Sequence, residues 1–201
     1  MTQDTVSNLL KPTNEDTSGP YFPIYFQDES LKDLTILGPG VVGGASGQHI
    51  ILRGRVLDRN GDLANGVLME FWQANAKGIY NSPANAGHPD LDPWFNGYGR
   101  LRSASGEYEF RTIMPGASEN RAPNITITLF SDGISRIVTQ VFFEGQKANE
   151  TDPLLQALRP EDQARLIACH DRRRVDGAKV YLLDIVMAGA KETPFFDDFE
   201  S

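Results

Sequence analysis

Cysteine is almost missing from this sequence. Cys169 stands alone among 201 residues, so no internal disulfide can form and nothing points to an oxidising compartment. Histidine is nearly as scarce, at three residues, His49, His88 and His170, which leaves little material for an imidazole metal site. No apolar run approaches the roughly 18 residues that a membrane-spanning helix needs. No basic cluster is longer than Arg172-Arg173-Arg174, and the formal charge is −8. That balance argues against nucleic acid as a partner. The first 16 residues, MTQDTVSNLLKPTNED, are polar and acidic, without the basic start or apolar core of a secretion signal. Internal repeats and low-complexity segments are absent too. These gaps lead to the expectation of a soluble, cytoplasmic protein.

What is present is ordinary globular composition, 40% hydrophobic and 23% charged, in a chain long enough for one sizeable domain over 1–201. Nineteen glycines and 12 prolines are spread among many short apolar runs, the pattern of an all-β chain rich in turns. Residues 1–48 read as an extended arm and glycine-rich loop, broken by Pro12, Pro20, Pro23 and Pro39. Strands are expected at 49–58, 67–72, 106–113, 124–130, 137–143 and 178–187. Along 124–130, Ile125, Ile127 and Leu129 share one face and Asn124, Thr126 and Thr128 the other. A long loop is expected over 75–100 and a helical region over 152–170, with Pro153 and Pro160 suiting first helical turns. The sum is an antiparallel β-sandwich of six or seven strands over 49–201, with a long N-terminal arm and one short helical insertion.

The segment Trp72-Gln73-Ala74-Asn75, a glycine-containing gap and then Tyr80 resembles the first half of the active-site signature of the intradiol ring-cleaving dioxygenases. The same residues also suit a central sheet strand with one aromatic in the core. Further matches follow in order: Thr17-Ser18-Gly19-Pro20-Tyr21, Leu91-Asp92-Pro93-x-Phe95-x-Gly97-x-Gly99-Arg100, Phe110-Arg111-Thr112-Ile113-x-Pro115-Gly116 and Phe195-Phe196-Asp197. The resemblance implies a non-haem iron(III) enzyme that splits a catechol-type ring with O₂. Its iron is held by two tyrosinates and two histidines, donors that suit a ferric ion.

Tyr80 matches the first tyrosine. The second follows Pro-Gly in the family, but here Pro115-Gly116 is followed by Ala117-Ser118-Glu119-Asn120. The His-x-His pair falls on Asn124 and Thr126. Three of four ligands are therefore missing, and His49 (opening a strand), His88 (in a loop) and His170 (ending the helical region) have no partner at ligand spacing. Cys169 is expected to be a buried structural thiol.

One branch of the family, cleaving protocatechuate, is built from an iron-binding β chain and a homologous α chain without the ligands. The sequence resembles the second. That implies no catalytic or metal residues of its own, Fe(III) on the partner β subunit, and a higher-order α–β oligomer acting on a small aromatic substrate. By motif, Thr17, Gly19, Pro20 and Tyr21 of the arm would line the substrate side of the partner's pocket. The α-type turn normally carries an arginine where Asp132 stands, so Arg136 is the candidate cation for an acidic substrate group. Arg121 matches an arginine of the catalytic chain and reads as structural or vestigial here. The competing class is a non-enzymatic β-sandwich that binds a ligand or partner alone.

Overall fold

The computed structural model describes residues 29–37, 43–131 and 135–196. Thr17, Gly19, Pro20, Tyr21 and Asp132 lie outside the described residues, so the expectations placed on them have no structural counterpart here.

Nine strands form the body: β1 (His49–Leu57), β2 (Val67–Gln73), β3 (Tyr98–Ser103), β4 (Glu107–Ile113), β5 (Asn124–Ser131), β6 (Ser135–Phe143), β7 (Ile167–Val175), β8 (Ala178–Leu182) and β9 (Ile185–Val186). Hydrogen bonding runs in the order β3-β2-β5-β6-β7-β8-β1-β4, with β9 paired to β1. The β6–β7 link rests on two residue pairs, Phe142↔Ile167 and Phe143↔Ala168. The strip therefore folds there into two halves that face each other, which is the sandwich the composition implied.

Alternation decides which residues fill the space between the halves. On β2, Val67, Met69 and Phe71 are fully buried, and on β5 so are Ile125, Ile127 and Leu129. Phe71 stacks on Phe110 of β4 across the sandwich, ring centres 3.9 Å apart. Each such fully buried side chain contributes about 2–3 kcal/mol. Gly99 of β3 leaves room for that stack, because a Cβ there would come within 2.5 Å of the Phe110 ring. The base of the arm closes the open end between β3 and β4. Leu34 is buried, and its N–H donates to the Arg111 carbonyl at 2.9 Å.

Several expectations need correcting. The pairing is mixed: β1 runs parallel to β8 and β9, and β6 parallel to β7. Two strands were missed. β3 begins at the end of the expected long loop, at 98–100, and runs on to Ser103, with Gly99 and two arginines hiding its period. β7 begins inside the expected helical region, at 167–170, and continues beyond it, where Arg172, Arg173 and Arg174 leave no apolar stripe. The helical insertion is two single turns, α1 (Pro153–Gln156) and α2 (Pro160–Ala164). His170 therefore lies on a strand rather than at a helix end, and Cys169 is exposed rather than buried. The expected last strand, 178–187, is split by Leu183 and Asp184 into β8 and β9.

Candidate functional site

The resemblance points to the outward face of β2 and β5. Trp72 on that face is half-buried, while Phe71 and Gln73 beside it point inward. Gln73 is fully buried and bridges the two halves. Its Oε1 accepts from the Thr112 hydroxyl at 2.8 Å, and its Nε2 donates to the Ile113 carbonyl at 3.0 Å. Asn75, also buried, organises the loop that follows. Its Oδ1 accepts from the Lys77 and Ile79 amides, its Nδ2 donates to the Asp90 carbonyl, and its carbonyl accepts from Gly78 and Gly116. Gly78 has φ +81°, and a Cβ there would lie 2.0 Å from the Ala117 carbonyl oxygen. The 75–80 loop is thus pressed against the 115–118 turn, and only glycine permits that approach.

This loop delivers Tyr80 back over the sheet. Its ring stacks on Trp72 with centres 5.7 Å apart. Burial pushes the Tyr80 phenol above its ordinary pKa, and the nearby charge of Arg121 opposes that rise.

β5 lies beside β2, and the register aligns Trp72 with Thr126 and Thr126 with Gln140 of β6. Asn124 and Thr126 therefore occupy the same outward face as Trp72, as the alternation required. Asn124 is buried and donates from Nδ2 to the Ala122 carbonyl at 2.7 Å. The Ala122 amide donates to Asp152 Oδ2 at 2.8 Å, and Arg121 Nε donates to the same oxygen at 2.9 Å. Arg121 Nη2 donates to Gln140 Oε1, and Gln140 Nε2 lies 3.4 Å from the Thr126 hydroxyl. Asp152 is fully buried, and its Oδ1 caps α1 by accepting from the Leu154 and Leu155 amides. The Arg121 guanidinium also sits over the Phe142 ring at 5.9 Å.

These residues do not fit a four-ligand ferric centre. Asn124 offers an amide already engaged with the backbone, Thr126 a neutral hydroxyl, and the turn after Gly116 no phenol. The histidines are scattered. His49 Nε2 lies 3.2 Å from the Ala45 carbonyl, exposed His88 accepts from the Asp90 amide, and the His170 ring rests against Tyr181. Among the described residues no group of three or more His, Cys, Asp and Glu side chains is placed to hold a metal.

Elsewhere on the same face, Glu70 Oε1 accepts from the Tyr98 hydroxyl and from Arg100. Burial, then the bond to Glu70, pushes the Tyr98 phenol up to about 12. Arg136 is exposed on β6 opposite Phe130, on the same side of the strand as Gln140 and four residues away. That spacing is about 13 Å along a strand, so Arg136 does not belong to the Arg121 cluster. Sequence reasoning placed Gln73 and Asn75 in the signature segment without a role for either, and did not single out Asp152 or Gln140. Asp152 had a signal, standing immediately before Pro153 as a helix cap. Gln140 had none.

A family model described as Dioxygenase matches residues 18–189. The chain belongs to the intradiol ring-cleaving dioxygenase family, whose enzymes use non-haem iron. It is 36% identical to the protocatechuate 3,4-dioxygenase alpha chain of Pseudomonas putida, over 94% of this chain and 98% of that one. It is 35% identical to the protocatechuate 3,4-dioxygenase beta chain of Burkholderia cepacia, over 91% of this chain and 83% of that one. Among solved structures it resembles the dioxygenase domain of a dioxygenase–carbohydrate-binding fusion from Streptomyces sp. SirexAA-E. That match has a TM-score of 0.59 and 27% identity, and covers 89% of this chain and 99% of that one. An intradiol ring-cleavage dioxygenase from Tetranychus urticae shares the fold, with a TM-score of 0.61 at 18% identity over 85% and 91% of the two chains.

Proposed function

We propose that this chain is the iron-free α subunit of a hetero-oligomeric intradiol dioxygenase whose Fe(III) is bound by a homologous β chain. The complex cleaves protocatechuate or a similar acidic catechol with O₂ to a carboxymuconate-type product. The observation that carries this reading is the state of the β5 ligand positions. Asn124 and Thr126 stand where imidazoles are needed, and Asn124 is committed to the Ala122 carbonyl. A family member with that donor set has no ferric centre of its own. The relatives at similar identity are an alpha chain and a beta chain, which supports a two-chain enzyme.

In this reading the chain forms a single domain and works in the cytoplasm. Its role is to shape the partner's substrate pocket. Thr17, Gly19, Pro20 and Tyr21 supply the wall, with Gly19 allowing close approach of backbone to ligand. Arg136 supplies a cation for the acidic group of the substrate in place of the arginine replaced by Asp132.

The test is ring cleavage by this chain alone, by the β chain alone and by the co-purified pair. Activity on protocatechuate that requires both chains is the expected result. Arg136→Gln in the pair raises KM about tenfold or more for the acidic catechol, with little change for unsubstituted catechol, since a charge-assisted bond contributes about 1.5–3 kcal/mol. Full activity of this chain alone overturns the proposal. A stable solitary chain that never associates with a β chain favours the non-enzymatic binding module instead.

A further inference from the structure

Of the five exposed large apolar side chains among the described residues, Leu63 and Leu182 stand singly, and the other three stand around one loop. These are Ile36, Leu37 and Trp94, which are 46%, 37% and 39% exposed. The stretches 33–37 and 43–46 run side by side there, with the Ala45 amide donating to the Thr35 carbonyl at 3.0 Å. The Trp94 ring lies against Gly43, where a Cβ would come within 2.5 Å of it. Asp92 ties the two sides together. Its Oδ1 accepts from the Trp94 amide at 2.9 Å and its Oδ2 from the Ser46 amide at 2.7 Å. The indole is thus held against backbone while much of its surface is left open. A single exposed apolar residue needs no explanation, but a gathered set marks an interaction surface. A side chain already held in place loses little further freedom when a partner covers it.

We propose that Ile36, Leu37 and Trp94 form the docking surface for the β chain, with Trp94 as its anchor. This rests on the reading that the chain is an α subunit whose arm reaches the partner's pocket. The root of that arm is fixed on the body. The Leu34 amide donates to the Arg111 carbonyl, and the Leu31 carbonyl lies against Gly99. Tyr21 stands eight residues before Glu29, so it reaches at most about 29 Å from it. A domain of about 200 residues has a radius of gyration of about 16 Å. A partner whose pocket lies within that reach therefore sits close to the arm root, and Ile36 and Leu37 follow the root directly. A second copy of this chain meets no such requirement, because it holds no iron pocket for the arm to line. Tryptophan is among the residues that most often anchor an interface, and its contribution is largest where neighbouring apolar contacts exclude water. Ile36 and Leu37 supply those neighbours.

Photo-crosslinking in the co-purified complex tests which chain covers this surface. With Ile36→p-benzoylphenylalanine, irradiation is expected to link position 36 to the β chain, at a site located by peptide mass spectrometry. Linkage only to another copy of this chain, or to neither chain, overturns the docking surface. Sedimentation of the purified pair measures its strength. Trp94→Lys is expected to raise the dissociation constant about thirtyfold or more. Leu63→Lys alters an equally exposed side chain beside Leu57, at the far end of β1, and is expected to leave the constant unchanged. An equal loss in both variants overturns the proposal. Where Trp94→Lys fails to fold, Ile36→Lys/Leu37→Lys changes exposed side chains only and is expected to weaken the pair about tenfold or more. Unchanged association in that variant overturns the proposal as well. If the wild-type chains form no complex, the α-subunit reading fails. If they form one that none of these substitutions weakens, the docking surface alone fails, and the two failures are thereby separable.

Discussion

The end of β2 and the start of β5 lie side by side on one face, yet they have fared differently. The β2 end follows the family pattern through Trp72, Gln73, Ala74, Asn75 and Tyr80. The β5 start departs from it at both ligand positions. The structure supplies a reason. Gln73 ties the two halves of the sandwich together through Thr112 and Ile113, and Asn75 holds the loop against Asp90, Gly78 and Gly116. Those residues serve the fold whether or not iron is present. Positions 124 and 126 face outward, where a ligand serves only the metal, and a hydrogen-bonded substitute satisfies the fold equally well. A signature motif can therefore outlast the chemistry it advertises.

The comparison can be broken first at Asp152. Asp152→Ala removes a buried cap and strands Arg121, so unfolding in urea should show a loss of about 3–5 kcal/mol. Gln73→Leu attacks the other side. It leaves the Thr112 hydroxyl and the Ile113 carbonyl without their partner, which costs about 2–3 kcal/mol in the same measurement. If Gln73→Leu proved harmless while Asp152→Ala did not, the β2 motif would have to be retained for something other than the fold.

Alkaline pH should act more gently. The Tyr98 phenol is raised to about 12 in the folded chain, so the unfolded phenol ionises first. The folded state holds the proton longer. Its advantage is therefore full below pH about 10 and is lost as pH rises towards about 12. Thermal midpoints that fall across that window, less steeply in Tyr98→Phe, would bear this out. Cys169→Ser should do least, within about 0.5 kcal/mol, because the thiol is exposed and makes only a 4.0 Å contact with the Ile167 carbonyl.

The sandwich was legible in the sequence wherever one face of a strand is apolar and the other polar. β5 is the clearest case: Ile125, Ile127 and Leu129 went inward as read. β3 and β7 were not legible. Gly99 fills its inward position with no side chain at all, and β7 carries three consecutive arginines. Cys169 lies exposed on β7, against the usual burial of a free cysteine. At the site, the ligand gap could be read from residue types and period-two alternation. The bonds that tie Arg121 to Asp152 and Gln140 could not, because these residues meet only through tertiary packing.

The central claim is that this chain lacks the iron its family uses. The direct measurement is iron content of the purified two-chain complex, followed by separation of the chains and analysis of each. One iron for each pair of chains, all of it with the partner, is the predicted result. Two irons for each pair, or iron and visible tyrosinate absorption remaining with this chain, would contradict the account.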